Sequence, residues 1–289
     1  MARHRDLIRW IIRKLPNSRD LATAVARLKI KMITNPLGYH RYSAIVTRDM
    51  ENLPERAELP EELFKLFMSD YTRHASLELA MREIKRYGVG GAAAEVGVYQ
   101  GDFARLIHFF LPDRRLYLFD TFQGFNQADL KADAYTLGQD FSATSVETVL
   151  QKMKHRERCV VRVGRFPESA EGVEDRFCLV SLDADLYNPI YTGLRYFWPR
   201  LNAGGYIFVH DYNNGPYPGV RQAVEKFAEE EAISGIAIPD WGGTFVLAKP
   251  WAMKNGERSG AVVCGVPEGR SNHVHTDVHK DLGTSPNPI

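Results

Sequence analysis

Short, unbroken apolar runs alternate with longer amphipathic stretches from Ala92 to Val209. The runs Ala92–Val98, Arg115–Phe119, Cys159–Val163, Phe177–Leu182 and Tyr206–Val209 show little polar alternation. Strands covered on both faces of a parallel sheet have this pattern. Between them, Phe103–Leu111, Ser145–Met153, Pro189–Trp198 and Gly219–Glu230 read as helices. Pro112 closes the first helix, and Thr144 with Glu147 forms a capping box for the second. Upstream, Glu61–Met68 and Ser76–Tyr87 also read as helices. Leu77, Leu79, Ala80 and Ile84 form the expected buried stripe, and Gly88, Gly90 and Gly91 end the second of them. Downstream, Ile236–Ile238 and Thr244–Ala248 form an antiparallel hairpin around Pro239–Gly243. The pattern predicts an α/β fold with a Rossmann-like, doubly wound, mostly parallel seven-stranded sheet and an antiparallel last strand.

This divides the chain into residues 1–64, an N-terminal helical extension and connector; 65–250, the α/β domain; and 251–289, a partly disordered tail. In residues 5–15, Leu7, Ile8, Ile11 and Ile12 fall on one helical face and Arg5, Arg9 and Arg13 on the other. We read this as an accessory helix docked on the core or on a second subunit, with a membrane-surface helix as the alternative. A homo-oligomer is the corresponding expectation. The tail carries His273, His275 and His279 in a polar setting that suits a disordered terminus better than a metal site.

Charge narrows the partners. Across 289 residues, 37 Lys and Arg balance 36 Asp and Glu, a net charge of +1, so the basic field of a nucleic-acid binder is missing. Cys159, Cys178 and Cys264 lie far apart, which argues against a disulfide framework or a thiolate zinc site. No apolar stretch is long enough to span a bilayer, and the first residues make a poor signal peptide. A cytoplasmic protein without integral membrane contact is expected.

Four motifs carry candidate chemistry. Gly97 and Gly101 follow the first strand with G-x-x-x-G spacing, which permits a tight turn and close backbone approach to a ligand. Asp102 at the following helix start would repel a pyrophosphate and better suits a cationic, amino-acid-bearing ligand. Asp120 ends the second strand, where an acid can accept hydrogen bonds from ribose hydroxyls. Asp183 and Asp185 follow the Phe177–Leu182 strand, and His210 and Asp211 follow Tyr206–Val209. All four share the carboxyl edge of the sheet, where a divalent cation would offset their cost. Any one acid could instead be a helix cap.

Glu95-Val-Gly-Val-Tyr-Gln-Gly-Asp-Phe103, Leu118-Phe-Asp-Thr-Phe-Gln-Gly-Phe125, Leu182-Asp-Ala-Asp-Leu-Tyr187 and Gly204-Gly-Tyr-Ile-Phe-Val-His-Asp-Tyr212 together resemble the macrocin O-methyltransferase family. Asp70-Tyr-Thr-Arg73 and Pro218-Gly-Val-Arg-Gln-Ala-Val224 extend the likeness, which covers roughly residues 65–250. The resemblance implies a class I methyltransferase domain that uses S-adenosylmethionine to methylate hydroxyls of sugars or glycosylated natural products. It implies that Glu95, Gly97, Val98, Tyr99 and Gly101 line the methionine part of the cofactor, and that Asp120, Thr121 and Phe122 hold or flank the ribose. Gly164 and Arg165 would lie near the adenine. Asp183, His210 and Asp211 fall on the family's metal-ligand positions, and Asp185 on that of the general base.

Two departures stand out. The family usually has Asp-Asp-Tyr where this chain has His210-Asp211-Tyr212, which removes one negative charge. The resemblance implies magnesium, whereas imidazole opens the site to manganese, iron or zinc. The family's catalytic lid histidine has no match, since residues 126–142 contain no His. The rival readings are a metal-dependent catechol-type methyltransferase acting on an aromatic diol, a nicotinamide-dependent sugar oxidoreductase and a non-enzymatic scaffold. The oxidoreductase is disfavoured by the glycine spacing and the lack of a Tyr-x-x-x-Lys pair. The edge acids argue against the scaffold.

Overall fold

The computed structural model describes residues 60–133 and 141–251, with the backbone of 253–254 and 257–258. The expected basic helix at residues 5–15, most of the N-terminal extension and connector, Cys264 and the histidine tail lie outside the described residues. Two helices, α1 (Glu61–Ser69) and α2 (Tyr71–Arg86), precede β1 (Ala92–Val96), α3 (Asp102–Phe110) and β2 (Leu116–Asp120). After α4 (Gln127–Ala132) and α5 (Val146–Gln151) come β3 (Cys159–Val163), β4 (Phe177–Leu182), α6 (Tyr187–Phe197) and β5 (Leu201–Val209). The helix α7 (Pro218–Glu230) and the strands β6 (Ile236–Ala237) and β7 (Phe245–Ala248) complete the domain.

The seven strands form one sheet in the order β3-β2-β1-β4-β5-β7-β6. Strands β1 to β5 pair in parallel, while β7 runs antiparallel to β5 and β6. Chain order reverses between β1 and β4. A crevice at such a switch point, beyond the carboxyl ends of the strands, is where open α/β sheets bind ligands.

The absence of polar alternation has a simple cause. Ala93, Leu116, Leu118 and Phe208 pack under α1, α2 and α3, with Phe67, Met81 and Ile107. Their neighbours Ala94, Tyr117, Phe119 and Val209 face the other way, against Phe197 and Phe227 of α6 and α7. Both faces are covered, so successive side chains are mostly apolar, with Glu95 of β1 and Ser181 of β4 as buried polar exceptions.

Several boundaries differ from expectation. Helix α2 begins at Tyr71 rather than Ser76, because the Asp70 side chain accepts from the Arg73 N–H and starts it a turn earlier. Leu79, expected in the buried stripe, is exposed; Leu77, Ala80, Met81 and Ile84 are the buried residues of that face. The cap of α5 is Ser145, whose hydroxyl accepts from Thr148 N–H at 3.1 Å. Thr144 instead donates to the Tyr99 carbonyl. Strand β3 is one edge of the sheet and only half-buried, unlike its expected twofold cover. Cys178 is buried, while Cys159 on that edge is only partly so. No helix among the described residues is long and apolar enough to cross a membrane.

Candidate active site

The loop leaving β1 is built by Asp120. One oxygen of its carboxylate accepts from the N–H groups of Val98 at 2.7 Å and Tyr99 at 2.8 Å. The other accepts from Phe122 N–H at 2.7 Å. The charge at the end of β2 therefore ties down both its own turn and the glycine loop. Gly97 adopts φ +82°, and a side chain there would run into the backbone of Asp183. This contact brings the β1 and β4 loops together at the crevice. Gly101, also left-handed, starts α3 packed against Val149. The Asp102 carboxylate that follows pairs with Lys152 at 2.6 Å.

A cavity of about 390 Å³ opens at this point. Of the residues expected around a cofactor, Glu95, Gly97, Val98 and Tyr99 line it from β1, and Asp120 and Thr121 from β2. Gly164 and Arg165 line it from the end of β3. Gly101 and Phe122 do not; they shape the loops behind the wall. Tyr99 meets Phe141 edge-to-face, with ring centres 5.3 Å apart, and Phe141 meets Phe125 at 5.1 Å. Arg165 is held by Asp129 at 2.9 Å and Glu168 at 2.9 Å.

The four edge groups also converge. Asp183 accepts from the Arg73 guanidinium at 2.7 Å through one oxygen and faces His210 Nδ1 at 3.0 Å through the other. The same nitrogen lies 3.0 Å from Asp211 Oδ2, and Asn214 donates to Asp211 Oδ1 at 2.7 Å. Asp185 and Asp211 both hold left-handed backbone, φ +61° and +60°. Such strain in non-glycine residues gathers at functional sites. Burial disfavours the His210 cation, yet the Asp183 charge prevails and raises its pKa to about 10. Burial likewise works against ionised Asp183 and Asp211, but contact with His210 holds both below the usual carboxylate range. Asp185 is pushed well above that range by burial, then by the charge of Asp183. Glu95 is raised for the same two reasons.

These distances fit a metal centre. Asp183, His210 and Asp211 each offer one atom, all within 4.8 Å of one another. Neighbouring ligands around an octahedral ion with bonds of about 2.1 Å lie about 3.0 Å apart. Both separations from His210 Nδ1 are 3.0 Å. His210 would have to release its proton to ligate. A second grouping of the same kind brings Asp70 and Asp240 together with His210.

Arg73 was not singled out from the sequence as a site residue. It sits on the buried stripe of α2, one turn before Leu77, and packs over the Phe103 ring at 4.0 Å. A cation on an apolar helical stripe needs a buried partner, and that was the available signal. Arg73 Nε and Glu95 Oε2 are buried without hydrogen-bond partners, and both residues line the cavity.

A family model described as macrocin O-methyltransferase (TylF) matches residues 40–246. The chain belongs to this family. It is an S-adenosylmethionine-dependent O-methyltransferase. It is 27% identical over 178 residues to mycinamicin III 3''-O-methyltransferase of Micromonospora griseorubida, a match covering 55% of this chain and 68% of that one. Two solved structures share the fold. The O-methyltransferase NovP aligns with a TM-score of 0.54 at 20% identity, over 62% of this chain and 80% of that one. The calicheamicin methyltransferase CalS11 aligns at 0.53 and 21%, over 71% and 90%.

Proposed function

We propose that this O-methyltransferase acts on a hydroxyl of a sugar or glycosylated natural product with help from a divalent metal. The observation that carries the reading is the convergence of Asp183, His210 and Asp211 beside Asp185 at the crevice mouth. The 3''-O-methyltransferase relative supports the acceptor class.

In this reading Glu95, Gly97, Val98 and Tyr99 receive the amino-acid end of S-adenosylmethionine, and Asp120 and Thr121 its ribose. Gly101 and Phe122 hold the loops in shape. Gly164 and Arg165 border the adenine. The cofactor supplies a sulfonium methyl group, a good electrophile for a hydroxyl oxygen. The metal, held by Asp183, His210 and Asp211, would act as a Lewis acid that lowers the hydroxyl pKa.

The chain's own groups do the rest. Asp185 accepts the hydroxyl proton, and its raised pKa makes it a stronger base once ionised. Compensating the charge of Asp183 would remove part of the pressure that keeps Asp185 protonated. Arg73 fixes the orientation of Asp183. Tyr99, Phe125 and Phe141 give the cavity an aromatic wall that would help to keep water from a bound cofactor.

The test is methyl transfer from labelled S-adenosylmethionine to a panel of mycinamicin III, a nucleotide deoxysugar and catechol. Label should enter the glycosides. Transfer to catechol alone would replace this reading with the aromatic-diol alternative.

A further inference from the structure

Trp241 is 77% exposed, more than any other large apolar residue among those described as exposed. Free loops often carry such residues, but this loop is not free. Asp240, just before it, accepts from Thr244 N–H at 2.6 Å and from the Thr244 hydroxyl. Asp240 also groups with Asp70 and His210. Gly242, just after it, accepts from Asn213 N–H at 3.0 Å through its carbonyl. A side chain at position 242 would come within 2.8 Å of His210 Nε2 and collide with Asp211. The backbone on both sides of the indole is thus held by Thr244 and Asn213 close to His210 and Asp211, while the ring itself stays in water.

Holding an indole in water costs the hydrophobic free energy that its burial would recover. A ligand that covers it regains that free energy beside the reacting group. A pyranose ring has the matching chemistry: a face of C–H bonds that packs on an aromatic ring, and hydroxyls at its edge that reach carboxylates or a metal. The two requirements are neighbours in the chain, because Trp241 directly precedes Gly242, whose backbone lies against His210 and Asp211.

Resting on the sugar-methylation reading above, we infer that Trp241 is the platform on which the acceptor sugar stacks, placing its hydroxyl at the Asp183, His210 and Asp211 cluster. Trp241 is a positioning residue here, and it determines preference for a sugar ring of the right face.

The experiment compares wild type, Trp241→Ala and Trp241→Phe with the best glycoside of the panel, and follows cofactor affinity by calorimetry. Trp241→Ala should raise the glycoside KM about tenfold while kcat and cofactor affinity stay within about twofold. Trp241→Phe should recover most of the loss. Acrylamide quenching of wild-type tryptophan fluorescence should fall when mycinamicin III is added, and that protection should vanish in Trp241→Ala. Unchanged KM and unchanged protection would overturn the inference alone, with the sugar reading intact. An alanine variant that breaks up an oligomer at unchanged KM would make the indole a seat for a second copy and would also overturn it. A wild type that methylates no glycoside defeats the sugar reading itself, and this inference with it.

Discussion

Arg73 and Asp183 lie 110 positions apart in the chain and meet at 2.7 Å beneath the crevice. The pair joins the helix before the sheet to the loop after β4, so the helical layer takes part in the site. Asp183 works against Arg73 desolvation and raises its pKa. Removing one member of a buried pair leaves the other charge uncompensated. Arg73→Met should therefore cost about 3 kcal/mol in urea unfolding, and Arg73→Lys less. A loss under about 0.5 kcal/mol, as for an exposed pair, would show that the ion pair does not support the fold.

Asp120 should govern cofactor affinity. It fastens Val98, Tyr99 and Phe122 through their N–H groups. Asp120→Asn keeps the shape but removes the charge and one acceptor. Calorimetry should show S-adenosylmethionine binding weakened by about 1–3 kcal/mol, the scale of charged hydrogen bonds. Unchanged affinity would take Asp120 out of the cofactor site.

The strands, their mostly parallel sense and the antiparallel last strand were legible because the domain is built on one period-free signal, apolar runs covered on both faces, whereas the order β3-β2-β1-β4-β5-β7-β6 was seen only in the structure. The sequence motifs also placed Asp183, Asp185, His210 and Asp211 on one edge. What could not be read was contact between distant elements. Arg73 reaches Asp183 only once α2 is folded against the sheet, and Asp120 spends its carboxylate on backbone N–H groups that no pattern reveals. The cap of α5 moved by one residue because Thr144 was drawn to the Tyr99 carbonyl, a partner 45 positions away. Leu79 lies off the stripe because 77, 80, 81 and 84 share the buried face of α2.

His74 should make the fold sensitive to acid. It is buried, with Nδ1 3.0 Å from the Phe67 carbonyl, and burial lowers its pKa to about 4. The unfolded chain holds a histidine near its ordinary 6.5 and takes up the proton first. Stability is thus fully present above pH 6.5 and is lost as pH falls toward 4, by roughly 3 kcal/mol from this residue. His74→Gln should flatten that part of the stability profile. Parallel profiles for the two proteins would contradict the account.

Metal binding should compete with a proton. The Asp183 charge keeps His210 protonated up to about pH 10, and ligation requires the neutral ring. Manganese affinity should rise about tenfold per pH unit between pH 7 and 9, with one proton released in calorimetry across buffers. His210→Asp should remove that slope and shift preference toward magnesium. A pH-independent affinity in the wild type would show that His210 is not a ligand.

The metal-assisted mechanism is tested most directly by turnover of a chelator-treated, metal-free enzyme with labelled S-adenosylmethionine and the best glycoside. Transfer should fall to background while cofactor affinity holds, and manganese or iron should restore it. In the metal-loaded enzyme, Asp185→Asn should slow transfer by roughly 10²–10⁴-fold without releasing the metal. Full turnover by the metal-free enzyme would contradict the account and leave Asp183, His210 and Asp211 as a structural charge cluster.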